Sequence, residues 1–268
     1  MFRLLLLAWL TLPTLAQEIR LELVDRATVE EWVSRSPLLN QRRQEILHEL
    51  FERSGCGPEL TEQPVKGSKL PNLICRLPGE PGAGIIVVGA HFDKVKAGQG
   101  VIDNWTGAVL LPALYQALAP SARRHTILFI GFTDEEVGLV GSRFFVKKLL
   151  KPERRNYRAM INLDSLGAGD INTWETHADA PLVRAAYAVA QLTATPLASV
   201  NLDKVGRGDS DSFIAGKIPV IDFHSLTQET LSLLHTDRDT HEAFQKDAYW
   251  KSYRFLAAFL STLDRQLK

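Results

Sequence analysis

Short apolar runs and longer helical patterns alternate along most of this chain. The runs at 84–89, 126–130, 159–163 and 218–223 are rich in Ile, Val, Leu and Phe and have the length of strands buried on both faces. Between them lie helical patterns. Such patterns cover Thr28 to Arg53, including a helix at Leu38 to Arg53, and Asn104 to Ala119 is another, with Val109, Leu110, Leu114 and Leu118 on one side. A third opens at Gly138 and Gly141 and carries Phe144, Phe145, Leu149 and Leu150; Pro181 to Thr195 and Ala243 to Leu267 follow. Glu59 to Leu77 reads as a hairpin turning near Lys66-Gly67-Ser68. Strands separated by helices predict an α/β fold: a mixed, largely parallel central β-sheet with helices on both faces.

Met1 to Ala16 breaks the alternation. One cation, Arg3, precedes an apolar run from Leu4 to Leu12, and Thr14-Leu15-Ala16 supplies small residues before Gln17. The run is too short for a bilayer span, so residues 1–16 read as a cleavable signal peptide. No later stretch is apolar enough for a membrane span. The remaining 17–268 are expected to form one domain, exported to a secreted or periplasmic location. The chain has 31 basic and 31 acidic residues; losing Arg3 with the leader leaves 30 against 31, a net charge of −1. With no basic block, nucleic acid is not an expected partner. Cys56 and Cys75 are the only cysteines. In an oxidising compartment they would pair, joining the end of the first helical pattern to the second arm of the hairpin. Two separate buried thiols are the other reading; no CxxC or nearby His supports zinc there.

Residues with metal-binding chemistry gather at the predicted strand ends. His91 follows the strand at 84–89, Glu136 the strand at 126–130, and Asp164 the strand at 159–163. His235 lies in the long loop beyond 218–223, and Asp103 lies just before a helix. In open α/β sheets ligands bind beyond the carboxyl ends of the strands. Adjacent carboxylates such as Glu135 and Glu136 repel unless a cation or shared proton offsets them. Each residue alone has a duller reading, a helix start favoured by the dipole for the Glu pair or an N-cap for Asp103. Imidazole and carboxylate arriving together at one sheet edge suit zinc, with a carboxylate able to bridge two ions.

Five segments in order carry a family resemblance: Gly89-Ala90-His91-Phe92-Asp93, Gly100-Val101-Ile102-Asp103-Asn104, Phe132-Thr133-Asp134-Glu135-Glu136-Val137-Gly138-Leu139, Asn162-Leu163-Asp164 and His235-Thr236-Asp237-Arg238-Asp239-Thr240. The chain resembles the M28 zinc aminopeptidases, with their zinc exopeptidase-like fold of the phosphorylase/hydrolase type. The resemblance implies two zinc ions per chain and peptide substrates with a free N-terminus. Asp103 would bridge the ions, His91 and Asp164 would complete one site, and Glu136 and His235 the other. Glu135 would be the general base, and Asp93 would hold the other nitrogen of the His91 ring. The Asp103–Asn104 peptide would be cis. Asp209 resembles the aspartate of the family's Ser-Asp-His-x-x-Phe stretch, with loop hydrogen bonding as its other reading.

The chain also departs from the pattern. Ser210 stands where many relatives have His, and Trp105 follows Asn104 where a small residue is common. Trp105 either walls the pocket or packs under the helix. Where some relatives have a Tyr shortly before the Asp209-like position, this chain has Lys204, Val205, Gly206 and Arg207. Arg207 either replaces that Tyr at the oxyanion or is an exposed loop residue. His224 and His241 have no motif position. The expected function is an exported two-zinc aminopeptidase. The alternatives are a single-zinc enzyme resembling the glutaminyl-peptide cyclotransferases on the same fold, and a non-catalytic binding ectodomain.

Overall fold

The computed structural model describes residues 21–203 and 206–267. The expected leader, 1–16, lies outside the described residues. Helix α1 (Arg26–Ser34) starts at Asp25, whose carboxylate accepts the Thr28 N–H at 3.0 Å, as an N-cap does. Helix α2 (Asn40–Arg53) follows after a break. The helical patterns expected over Thr28 to Arg53 are therefore two helices, the second close to the expected Leu38 to Arg53. Pro37 accounts for the break, because it has no N–H and its ring disfavours helical backbone at Ser36.

Strands β1 (Leu60–Gln63) and β2 (Asn72–Leu77) form the expected antiparallel hairpin. Then come β3 (Ile85–His91), α3 (Thr106–Leu118), β4 (Thr126–Phe132), α4 (Val140–Lys148) and β5 (Tyr157–Leu163). The chain continues through β6 (Asn172–Thr173), α5 (Ala180–Leu192), β7 (Ala198–Ser199), α6 (Ser210–Ala215), β8 (Val220–His224) and α7 (Lys246–Gln266). All eight strands lie in one sheet of order β1-β2-β4-β3-β5-β8-β6-β7. The central β4, β3, β5 and β8 run parallel, and antiparallel pairings join β2 to β4 and β6 to β8. The two-residue strands β6 and β7 and the six-residue α6 have no counterpart in the apolar pattern, being too short to carry a period.

Side chains of β3 alternate between two cores, as the two-residue period of a strand requires. Ile86, Val88 and Ala90 join the larger core, built with α1, α2, α3, α5 and α7. Val87 faces the smaller one, with Phe145 and Val146 of α4 and Phe213 of α6. Helix α3 is buried nearly all round, so it reads as apolar without a polar face. Helix α7 buries Tyr249, Tyr253, Leu256, Leu260 and Leu263, the stripe of a helix packed on one side. A disulfide joins Cys56, just past α2, to Cys75 on β2. Among the described residues no helix is long and apolar enough to cross a membrane.

Candidate active site

Parallel strands bring their carboxyl ends to one edge, and the sequence-selected residues meet there. His91 is the last residue of β3, Asp164 follows β5, and the Glu135–Glu136 pair lies between β4 and α4. Asp103 sits in a kinked turn, Val101–Trp105, where Asp103 and Asn104 leave helical φ/ψ and the bond between them is cis. Asp134, Ser165 and His235 each hold a left-handed φ, 52°, 51° and 57°. Non-glycine residues in that region carry backbone strain and cluster at functional sites.

The two oxygens of Asp103 divide between two imidazoles. Oδ1 lies 3.2 Å from His91 Nε2 and Oδ2 lies 3.2 Å from His235 Nε2. His91 Nε2 is also 3.7 Å from Asp164 Oδ1, and His235 Nε2 is 2.9 Å from Glu136 Oε2. His91, Asp103 and Asp164 thus form one group, and Asp103, Glu136 and His235 a second, with the ligand atoms of each within 4.8 Å of one another. Two atoms each about 2.0–2.1 Å from a tetrahedral ion lie about 3.3 Å apart, so both mixed nitrogen–oxygen groups fit zinc. Glu136 Oε1 is buried without a hydrogen-bond partner, a further acceptor suited to a cation.

The charge balance points the same way. Burial pushes the Glu135 carboxyl up to about 10, with Asp209, Asp164 and Asp103 adding to the rise and His91 opposing it. Glu136 rises to about 7, through burial first and then Asp103. Burial works against a charged His91, yet Glu135, Asp103, Asp164 and Asp93 outweigh it and raise that pKa. The Asp103 hydrogen bond lifts His235 to about 9. Carboxylates crowded this closely favour positive charge among them.

Scaffolding residues fix the ligands. Arg43 of α2 is fully buried and donates to the carbonyls of Pro37, Phe92, Gln99 and Gly100 at 2.7–3.3 Å. It thereby ties the end of β3 to the loop that leads into Asp103. Asp239 accepts the Ile102 and Asp103 amides at 2.7 and 3.1 Å, four residues after His235. Gly98 and Gly100 have φ of 60° and 61°, and a Cβ at Gly98 would strike the Thr236 carbonyl. Asn104 donates to the Leu163 carbonyl at 2.8 Å and accepts the Ser165 amide at 3.2 Å, anchoring the turn beside Asp164.

Asp93 meets both the His91 ring and two backbone amides. Its backbone carbonyl, not its carboxylate, is the group within hydrogen-bond distance of His91 Nδ1, at 3.1 Å, while Oδ1 stands 3.6 Å away. The carboxylate instead accepts the N–H of Glu135 at 3.0 Å and of Glu136 at 3.2 Å. With about four lone-pair sites the carboxylate can serve both amides and still stand within ion-pair distance of the His91 ring. Trp105 does not wall the pocket; it is fully buried, donates Nε1–H to the Trp32 carbonyl at 3.0 Å and faces the Arg43 guanidinium. Asp209 is buried behind the site with both carboxylate oxygens unpartnered, and burial pushes it up to about 7. Arg207 is exposed on the rim of the cleft, 3.6 Å from Asp211. His241 lies at the surface with Nε2 3.1 Å from Ser36 Oγ.

The groups open into a cleft of about 670 Å³, solvent at its mouth included. Beyond the ligand residues its lining includes Trp174, Leu202, Phe223, Leu226 and Leu234, and also Asp222 and His224. Sequence reasoning left His224 without a role. The signal lay in Val220-Ile221-Asp222-Phe223-His224, where two polar residues share one face of a buried strand.

Over 97 residues the chain is 33% identical to a probable leucine aminopeptidase 2 of Trichophyton verrucosum, covering 36% of this chain and 20% of that protein. It thus spans about a fifth of the length of the curated relatives it matches. Its fold is that of BSAP, a zinc aminopeptidase from Bacillus subtilis, at a TM-score of 0.65 and 22% identity over 74% of this chain and 50% of that one. It also superposes on the Tannerella forsythia glutaminyl cyclase, TM-score 0.69 and 17% identity over 88% of this chain and 98% of that one. Residues 72–260, well over half of the chain, match the model of peptidase family M28, and the chain belongs to that family.

Proposed function

We propose that this protein is a zinc-dependent aminopeptidase that removes the N-terminal residue from peptides, with two zinc ions shared through Asp103. The observation that carries this reading is the split of the Asp103 carboxylate between His91 and His235, each in its own ligand group. His91, Asp103 and Asp164 would hold one ion, and Asp103, Glu136 and His235 the other. Bound zinc would lower the pKa of a coordinated water toward neutrality and polarise the scissile carbonyl.

Glu135 is the general base of this reading. Its Oε2 stands 4.0 Å from His91 Nε2, at the edge of the ligand group but outside either set. It takes a proton from the attacking water and returns it to the departing amine nitrogen. Asp93 holds the Glu135 amide, so the base is aimed from the backbone. The surrounding carboxylates favour a substrate that arrives with a cationic amino group, which suits an exopeptidase. Export accompanies this reading, supported by the apolar N-terminal run and by a disulfide of the kind that persists outside the cytosol.

A second reading, a glutaminyl-cyclase-like enzyme, is favoured by one observation: in superposition this chain covers 98% of the Tannerella forsythia cyclase but 50% of the Bacillus subtilis aminopeptidase BSAP. Aminoacyl anilides run beside a Gln-peptide cyclisation assay separate the two. The first reading expects anilide hydrolysis that Glu135→Gln lowers by about 10²–10⁴-fold. Cyclisation without hydrolysis of any aminoacyl anilide would refute it.

A further inference from the structure

A second groove adjoins the cleft, and its charge is opposite to that of the carboxylate-rich site. It lies between α4 and α6, with a volume of about 950 Å³, open solvent included, and Arg143, Lys147, Arg154 and Arg207 in its lining. Asp211 is the one acidic residue there. Arg207 lines the groove and the cleft alike, so the two meet at that side chain. Arg143 stands close to the same boundary: a Cβ added at Gly138, two residues after Glu136, would lie 4.0 Å from its Nη1.

The cations of this groove are not spent within the fold. Among the described residues, Arg207 alone of the four has a carboxylate within ion-pair distance, Asp211 Oδ2 at 3.6 Å. The other oxygen of Asp211 is already 2.9 Å from His177 Nε2. Arg154 donates Nη2–H to the Val146 carbonyl at 3.2 Å, which fixes its guanidinium without neutralising it. Arg143 and Lys147 are exposed. Arg143 sits in the opening turn of α4, where the helix dipole disfavours a cation, so the helix gains nothing from it. A neighbouring hollow shares Arg143 and Lys147 and adds Lys66 and Lys148, with no acidic residue in its lining. Such an excess of one charge attracts ligands of the other.

We propose that this groove receives the part of the peptide that lies downstream of the cleaved bond and selects acidic residues there. The proposal rests on the aminopeptidase reading. With the substrate's amino group held among the carboxylates of the cleft, the rest of the peptide leaves through the mouth, where Arg207 opens onto the groove. Arg143 and Lys147 are four residues apart on α4, about 6 Å of rise, close to the ~6.6 Å between alternate residues of an extended peptide. Two carboxylates in an Asp-x-Asp pattern match these two cations, whereas a lysine-rich tail meets like charge. Continuity with the cleft favours a peptide over a lipid surface as the occupant.

The test compares kcat/KM of the zinc-loaded protein for leucyl peptides whose tails are neutral or carry an Asp-x-Asp or Lys-x-Lys pair at successive positions. Leucyl anilide, too short to reach the groove, is the reference. Exposed ion pairs are individually weak, and several together should favour the best-placed acidic peptide over the neutral one by about three- to tenfold. The gain should fall chiefly on KM and fade as salt rises. Arg143→Ser/Lys147→Ser should bring the acidic-to-neutral ratio near one, and Arg143→Lys/Lys147→Arg should keep it. Equal rates for acidic and neutral peptides at every position, or a ratio that the serine variant leaves unchanged, would overturn the inference and leave the aminopeptidase reading standing. Wild-type binding to phosphatidylglycerol vesicles that the serine variant abolishes, with no selectivity among peptides, would assign the face to a lipid surface and overturn it equally. Hydrolysis of neither the anilide nor any peptide would remove both.

Discussion

Glu135 and Glu136 are neighbours in sequence, yet their carboxylates have different surroundings. Glu136 Oε2 touches His235 within a ligand group, whereas Glu135 stands outside both groups. Their amide replacements should therefore fail differently. Glu135→Gln should keep both zinc ions and lose about 10²–10⁴-fold in kcat, with added zinc giving no recovery. Glu136→Gln should lose zinc occupancy along with activity and respond to excess metal. Elemental analysis beside the rates checks this; metal loss in Glu135→Gln, or near-native turnover, would sink the division of roles. His224 makes a separate prediction about stability. Its folded pKa, about 4, lies below the unfolded value of about 6.5, so the unfolded chain binds the proton more readily in between. Stability is unaffected above about pH 6.5 and falls as pH drops toward 4. For His224 alone the loss is about 2 kcal/mol at pH 5 and at most about 3. Urea denaturation of the metal-free wild type and His224→Phe at pH 7.5 and 5 should show the smaller pH dependence in the variant; equal dependence would contradict it.

At the scale of elements, two braces hold the Asp103 turn from opposite sides, Arg43 from α2 and Asp239 from the loop after His235. Asp239→Ala leaves the Ile102 and Asp103 amides without acceptors, and each buried unpaired N–H costs about 1–3 kcal/mol. Destabilisation by that order together with weaker zinc binding is expected, and calorimetry with a zinc titration measures both. Asp239→Asn, keeping one carbonyl oxygen, should lie between. Reducing the Cys56–Cys75 bond, 19 residues apart in sequence, should cost on the order of 3 kcal/mol in the chain-entropy account. Denaturation of Cys56→Ser/Cys75→Ser reads it, and an unchanged midpoint would show that the bond constrains little. The central strands were legible because their apolar runs are long and continuous. The second helix, after Pro37, was legible as well, starting within two residues of the expected Leu38. The two-residue strands β6 and β7 exist through pairing with elements distant in sequence, which no local pattern records.

For the whole molecule, parallel strands aim their carboxyl ends at one edge, and this turns separated sequence motifs into one site. That is why five ligand-type residues spread from 91 to 235 were readable together before any contact was known. What sequence could not supply was the direction of side chains: Trp105 turned into the core, and the Asp93 carboxylate turned toward two amides. Each is settled by packing among residues far apart in the chain. The measurement that bears most directly on the account is an activity titration of the metal-free protein. Zinc is added in known equivalents per chain while hydrolysis of an aminoacyl anilide is followed. The rate should climb until two equivalents are bound and then level, with His91→Ala unable to reach that level. A plateau at one equivalent that His91→Ala leaves unchanged, or no hydrolysis at any zinc level, would contradict a two-zinc aminopeptidase.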